Sequence, residues 1–600
     1  MAATGETATG VDPITIEVLR SAFTAICNEM ALTVAKTAYS TPVNEGHDFA
    51  TGLYDRHGNL VAQGEFDLPA FVGLTLLTVP EVMRAIGPEN IQPDDIYMIN
   101  DPYVATTHCN DIHFIKPIFH DGTLVGFSSS TAHWSDVGGV APGSLNTAAR
   151  SHYEEGMRIP GITLYKRGQL NQDVVSLLLV NMRQSWERLG DLNAQVAAIK
   201  VGDQRIQGLI EKHGRAAVLA TMSEVQDHSE RLARASFRSL PDGVYEAEDK
   251  VDQDQYTGEP KTIRLTLTIE DDHAIFDYTG SDGPAESGIN GTIAGTTSGV
   301  FIAMASILPP MPMNAGVMRA IAIKARQGSI VWAKPPVAVS VMTITVMDCV
   351  IGSATLALGH ALPARAVGMA GSILNSTYAG DDNRPTFDAP FINYTWAFGG
   401  MGGTQTHDGP NCTAPPFGAS GSTIPSELQE RRYPVLYNRC NLLPDSGGPG
   451  TFRGGLALNT IMEFPFEQVG GTGLSTLGNR EKFGPPGIFG GLAGQVARLS
   501  LNDGTESERH LGTTSTNAPV QRGEVLTFRT NGGGGYGDPL ERDPQLVLED
   551  LKDGYATIAG SREQYGVVVK AIDPRTLRYE IDEGATAVLR AALRTARSQA

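Results

Sequence analysis

The 600-residue sequence predicts an α+β protein, a large multi-subdomain chain with an N-terminal α/β region and β-rich, glycine-rich central and C-terminal regions. Three observations carry this expectation. The length exceeds what a single hydrophobic core usually organises. Blocks of helical periodicity alternate with blocks of period two. The 68 glycines fall in clusters rather than singly, and amount to about 11% of the chain against a usual ~7%. With 41% apolar residues the chain has enough material for extensive cores, which excludes bulk disorder.

Each element follows from local pattern. Asp12 suits an N-cap and Pro13 a first turn. Leu19, Phe23, Ile26, Met30 and Val34 then fall on one helical face. Residues 49–63 form two short β-like runs around Asp55-Arg56-His57-Gly58, a hairpin signal. A second hairpin is expected over 112–130, turning at His120-Asp121-Gly122. Residues 171–235 read as helical, and 243–280 alternate as strands. The apolar stretch 337–358 carries Thr343, Thr345, Asp348 and Ser353, so it reads as buried strands and a helix rather than a membrane span. Residues 386–425 are dense in Gly, Pro, Ser, Thr and Asn, which suggests a long functional loop. Residues 459–529 are β-rich. The tail returns to short helices from Asp543, the last with Arg590, Arg594 and Arg597 on a solvated face. The resulting regions are 12–240, 241–335, 336–460 and 461–600.

Composition excludes some functions. Forty-six basic against 66 acidic residues leave a net charge of −20. That disfavours nucleic-acid backbones and anionic membranes, which need clustered Lys and Arg. The N-terminus has no basic or apolar leader pattern, and five widely spaced cysteines include no CxxC. A cytoplasmic protein with reduced thiols is expected.

The chemistry concentrates in residues 100–143, since five of the 13 histidines lie between His108 and His152. His108 and Asp111 are three apart, and His133 lies on the second arm of the expected hairpin. Two imidazoles and a carboxylate form a facial set for Zn, Fe or Mn with open positions. Such an ion makes a nucleophilic hydroxide near neutral pH and polarises a carbonyl. His113 and Asp136 are candidates for orienting a ligand imidazole. Satisfied surface or core histidines are the competing reading of this spacing. Glu154 and Glu155 form a paired carboxylate, a candidate general base or a solvated turn.

Other motifs weigh less. Residues 532–537 (GGGGYG) match GxGxxG, but Asp538-Pro539 follows where a nucleotide site needs a helix, so a packed turn is expected. Residues 445–448 with Arg453 could cradle an oxyanion or serve as a turn. Ser420 lacks a nucleophile-elbow pattern. There is no GxxxxGK[ST].

Motifs spread along nearly the whole chain resemble the B component of the hydantoinase/oxoprolinase family. They run in order: DPITIEVLRSAF, HDFATGLYDRHGNLVAQ, NDPYVATTHCNDIHFIKPIF, AHWSDVGGVAPGS, YEEGMRIP, NMRQSWERLGDLNAQVAA, DYTGSDGPAESGIN, DSGGPGTFRGGL, NGGGGYGDP and YGVVV. The resemblance implies one divalent metal (Zn, Fe or Mn) on Asp48, His108, Asp111 and His133. It also implies a hetero-oligomer with a hydantoinase A-type ATPase subunit that holds ATP-Mg. The implied activity is ATP-dependent hydrolysis of a cyclic amide, with ketone carboxylation of the acetone/acetophenone carboxylase type as an alternative. A non-catalytic scaffold for the ATPase is a third. The chain departs from the family at Phe71, where relatives often carry a Pro-x-His-x-Gly histidine, which implies a more apolar substrate. Ser185 replaces a family proline, which bears on local loop geometry. Several glycines of the clusters at 138–139, 399–403, 447–448, 454–455 and 532–535 are expected to line the cavity beside the metal.

Overall fold

The computed structural model describes residues 11–382, 384, 389–466 and 469–599. Asp12 accepts a hydrogen bond from the Thr15 backbone N–H and Pro13 sits in the first turn, so helix α1 (Pro13–Thr37) begins as expected. Its predicted stripe is buried. A short helix α2 (Thr41–Asn44) leads into the first sheet.

That sheet contains β1 (Phe49–Asp55), β2 (Leu60–Gln63), β3 (Ile96–Ile99), β4 (Asp111–His120), β5 (Thr123–His133), β6 (Ile162–Lys166) and β7 (Gln169–Leu170). The order is β2-β1-β5-β4-β3-β6-β7, antiparallel throughout. Both expected hairpins are present. The tight turn between β4 and β5 is made by Asp121 and Gly122, both at positive φ, whose twist matches the strands they join.

The sheet is covered on both faces, so β4 is buried almost continuously instead of alternating. Helix α3 (Val72–Ile86) follows β2, and α4 (Gln172–Val180), α5 (Ser185–His213) and α6 (Arg215–Arg238) follow β7. Ile112, Phe114 and Ala132 pack toward α1 and α5. Ile115 and Phe127 face a second core built with α3, α7 (Ile293–Ile307) and α8 (Val346–Ala361). That core also takes the inner side of a sheet ordered β11-β10-β9-β8, from β8 (Gly243–Val251), β9 (Lys261–Glu270), β10 (His273–Asp277) and β11 (Ile321–Lys324). Segments 69–86 and 342–361 are apolar and long enough to cross a membrane, yet more than half of each is buried inside the protein. Of the buried strands and helix expected over 337–358, only the helix forms, as α8. Val341 N–H bonds to Gly288 and Ser340 Oγ to Asn146, so the segment before α8 pairs with loops rather than a sheet.

The C-terminal half interleaves two sheets. Its strands are β12 (Ile373–Asp382), β13 (Ala389–Phe398), β14 (Leu436–Leu442), β15 (Leu458–Glu463), β16 (Val469–Leu477), β17 (Arg498–Leu501), β18 (Arg509–His510) and β19 (Val525–Arg529). They pair as β13-β12-β16 and β14-β15-β19-β17-β18. The boundary placed at 460/461 falls inside β15, and both sheets draw strands from either side of it. Strand β13 also occupies part of the long loop expected over 386–425, of which residues 386–388 lie outside the described residues. The tail carries an unexpected hairpin, Val569–Asp573 with Arg578–Ile581. On the last helix, Glu583–Gln599, the three arginines are tethered rather than free: Arg590 to the Arg542 and Tyr565 carbonyls, Arg594 to Leu540 and Glu541, Arg597 to Asp538.

Among the described residues, none of the clustered glycines expected beside the candidate metal site lines that cavity. Segments 368–371, 399–403, 446–455, 484–494 and 532–537 lie backbone against backbone outside any sheet. Their bonds include Gly403 N to Gly534 O at 2.9 Å, Gly533 N to Gly455 O at 3.0 Å and Gly455 N to Met401 O at 2.7 Å. What these positions require is the absence of Cβ. A methyl on Gly402 would lie 1.7 Å from the Gly368 carbonyl oxygen, and one on Gly454 1.9 Å from that of Gly533.

Candidate metal centre

Sheet register assembles the site. Asp111 opens β4 directly opposite His133, the last residue of β5. On the other side of β5, Phe49 pairs with Ala132, and the ladder continues when His133 N–H donates to the Asp48 carbonyl at 3.0 Å. Asp48, His133 and Asp111 therefore form one row across three adjacent strands. His108 enters from the loop before β4. Buried asparagines hold that loop: Asn100 Nδ2 donates to the Cys109 carbonyl, and Asn110 Nδ2 to those of Trp134 and Gly143.

The geometry is that of a ligand set. Asp111 Oδ1 lies 3.5 Å from His108 Nδ1 and 3.6 Å from His133 Nδ1. One donor atom from each of the three lies within 4.8 Å of the others, and all three residues are buried. The Asp48 carboxylate lines the same cavity beside this trio. Burial pushes the His108 pKa down to about 4, and its Nδ1 has no hydrogen-bond partner, so a neutral imidazole presents a free lone pair. Burial would raise Asp111, but the two imidazoles and the Thr107 hydroxyl hold it well below the usual carboxylate range. Asp48 is pushed up to about 6, first by burial and then by the Asp111 charge, against the pull of His133. Two carboxylates and an orphaned imidazole nitrogen are the donors a divalent cation would satisfy.

The group lies in the wall of a cavity of about 820 Å³, part of it open to solvent. Most of the remaining lining is apolar, including Leu68, Phe71, Ile344, Phe398 and Phe417. Tyr394, which sequence reasoning missed, ties the wall to the centre. Its ring meets His133 edge-on at 5.8 Å, and its hydroxyl lies 2.7 Å from the carbonyls of Ser135 and Gly143.

Other candidates are placed differently. Asp136 is fully buried but serves its own loop, accepting from Gly138, Gly143 and Arg183. His113 lies on the same face of β4 as Asp111, with Nδ1 beside Thr131 and Thr78 rather than a ligand imidazole. Glu154 and Glu155 are not brought to the cavity. Glu154 bonds within its own turn, to Arg150 N–H and Ser151 Oγ. Glu155 Oε1 accepts the N–H groups of Val339 and Ser340, each at 2.5 Å, and so positions the segment that supplies Ser340 and Val341 to the cavity. The oxyanion cradle at 445–455 is also filled: Arg453 pairs with Asp550, and Asp445 binds the Thr557 N–H and hydroxyl. Ser420 Oγ donates to the Asp67 carbonyl.

Burial pushes Glu155 up to about 8, despite the two N–H donors. A raised carboxyl takes up a proton on folding, so its contribution worsens as pH rises from the ordinary glutamate value towards 8. Glu155→Gln should therefore gain thermal stability over wild type progressively between pH 5 and 8.5, measured by calorimetry. Turnover should stay within about threefold, as expected for a group that does no proton transfer.

Comparison with known proteins identifies the class. The family model for hydantoinase B/oxoprolinase matches residues 12–539, and the chain belongs to that family. The beta chain of caprolactamase from Pseudomonas jessenii is 32% identical over 97% of this chain and 99% of its own length. The B component of a putative D-/L-hydantoinase from Pseudomonas sp. strain NS671 is 30% identical, covering 95% and 97%. The crystal structure of ATP-dependent caprolactamase superposes with a TM-score of 0.86 at 30% identity, covering 97% of this chain and 100% of that one. Nucleotide-free acetone carboxylase shares the fold, with a TM-score of 0.88 at 21% identity over 98% and 83%.

Proposed function

We propose that this chain is the metal-bearing subunit of an ATP-dependent cyclic amidase, opening a lactam or hydantoin ring after a hydantoinase A-type ATPase partner phosphorylates the amide oxygen. The observation that carries this reading is the buried His108, Asp111 and His133 group in an apolar cavity. It occurs in a chain that aligns end to end with a caprolactamase subunit. Relatives named as subunits support a hetero-oligomer, with ATP-Mg on the partner. Five unpaired cysteines suit the cytoplasm.

An unstrained amide is a poor electrophile, and its O-phosphorylated form is a good one. Asp48, His108, Asp111 and His133 would hold one Zn, Fe or Mn ion. Such an ion supplies Lewis acidity and hydroxide near neutral pH. The chain's own residues then set the stage. Thr107 orients Asp111, Tyr394 fixes the wall against His133, and the apolar lining keeps bulk water from the activated ring. Water adds to the former amide carbon, expulsion of the protonated ring nitrogen opens the ring and leaves an acyl phosphate, and a second water cleaves that to the free carboxylate and phosphate.

The test is reconstitution with the cognate ATPase subunit, ATP and a lactam, following ring-opened amino acid and phosphate together. Bicarbonate-dependent acid formation from a ketone, without lactam opening, would replace this reading with carboxylation. Less than about a tenth of an equivalent of transition metal in the untreated chain would favour the scaffold. Phe71 lines the cavity, so Phe71→His should raise the preference for hydantoin over caprolactam about tenfold, as a ratio of kcat/KM values.

A further inference from the structure

Besides the His108 and Asp111 group, the cavity wall holds, among the described residues, one polar side chain with an acceptor that the fold leaves unused. Strands β12 and β13 present alternate residues to it: Ile373 opposite Phe398, Asn375 opposite Trp396, and Tyr394 one step further along β13. Beyond the histidines and carboxylates, its polar lining side chains among the described residues are Thr107, Ser340, Thr343, Asn375, Tyr394 and Trp396. Five are committed. Thr107 donates to Asp111 and Thr343 to Thr107. Ser340 donates to the Asn146 carbonyl at 2.8 Å and Trp396 Nε1 to the Ser422 carbonyl at 2.9 Å. Tyr394 binds the carbonyls described above. Asn375 is the exception. Its Oδ1 is buried without a hydrogen-bond partner, although its atoms line the cavity. Buried acceptors are almost always satisfied, so an unpaired acceptor on a residue of the cavity wall points to a ligand donor that the amide turns to meet. No lysine or arginine lines the cavity among the described residues.

We infer that Asn375 is a specificity-determining residue that reads the cis-amide edge of a neutral lactam before the amide oxygen is phosphorylated. A small ring holds its amide cis, with N–H and C=O side by side on one edge. A carboxamide presents the same pair in complementary order, so two parallel hydrogen bonds form, Asn375 Oδ1 accepting from the ring N–H and Nδ2 donating to the ring carbonyl. A cyclic ketone of the same size offers no N–H and strands Oδ1. A carboxylate-bearing ring meets no cationic side chain here. This inference rests on the cyclic-amide reading and narrows it to uncharged, apolar rings.

The experiment is calorimetric binding of ε-caprolactam, N-methylcaprolactam and cycloheptanone to the purified full chain, as wild type, Asn375→Leu and Asn375→Asp. Circular dichroism and thermal melts establish that each variant is folded. Wild type should bind caprolactam at least about tenfold more tightly than the other two ligands. Asn375→Leu should bind all three within about twofold of one another, which a merely structural loss would not produce. Asn375→Asp, which keeps the acceptor, should retain the preference for caprolactam over its N-methyl derivative. Absence of caprolactam binding to wild type, or a preference that survives in Asn375→Leu, overturns the inference. Turnover by the complex separates this from the parent reading. Lactam opening without dependence on Asn375 removes only the recognition role. Asn375-dependent binding with no ATP-driven opening removes the amidase and leaves the recognition.

Discussion

His133→Ala should abolish ring opening by the reconstituted complex, by at least about a thousandfold, while ATP hydrolysis by the partner remains measurable. His133 is the middle of the row: its backbone N–H is bonded to Asp48, and its imidazole lies 3.6 Å from Asp111. Removing the ring takes one donor from the set and leaves Asp111 without one of its two imidazole neighbours. Metal content should fall from near one equivalent to below about a tenth, measured on the untreated chain by elemental analysis. The backbone bond to Asp48 survives the substitution, so the strand should keep its place and the melting temperature should move little in the metal-free state. His108→Ala should reproduce the loss through the loop side of the site. Turnover within tenfold of wild type in either variant would remove the metal role, and loss of both product and partner ATPase would point to a failure of assembly instead.

Much of this site was legible before the structure because local rules governed it. The hairpin turn Asp121-Gly122 is a short-range signal that pairs β4 with β5, and the one-residue register shift between Ile118 and Phe119, which the sequence did not show, brings Asp111 opposite His133 instead of Ala132. The same holds for α1, whose cap and stripe lie within one segment. What could not be read depended on distant partners. Glu155 looks like a candidate base in sequence, yet it lies outside the cavity, with Oε1 held by the N–H groups of Val339 and Ser340, some 185 residues away. Arg453 looks available for an anion until Asp550 is placed beside it. The strand carrying Tyr394, Trp396 and Phe398 does alternate correctly, in NYTWAF, but it was hidden by the glycine-rich composition around it, and so was the wall that shapes the cavity. The glycines gave a compositional signal whose cause is tertiary. None of the clustered ones needs to touch substrate, because what crowds them is another stretch of backbone.

That crowding gives the same chemical change opposite signs at two positions. Gly208 lies exposed in α5, and a methyl there would meet nothing within 4 Å, so Gly208→Ala should stabilise by roughly 0.5–1 kcal/mol through helix propensity and a less flexible unfolded chain. Gly533 is buried, and a methyl there would lie 2.0 Å from the Met401 carbonyl oxygen and 2.3 Å from its carbon. Backbone cannot rotate aside as a side chain can. Gly533→Ala should therefore cost about 3 kcal/mol or more, read as a lowered denaturant midpoint or loss of soluble chain. The damage should also reach the site. Met401 follows β13 by three residues, and Gly371 N–H bonds to the Gly400 carbonyl at 2.7 Å, joining the lead-in of β12 to the exit of β13. Pushing Met401 displaces the end of the ladder that aims Phe398 and Trp396 into the cavity. Any Gly533→Ala protein that folds should therefore show a raised KM for lactam with near-normal metal content, the reverse of the His133→Ala pattern. An unchanged midpoint would mean that the packed glycine backbones yield more easily than their spacing implies.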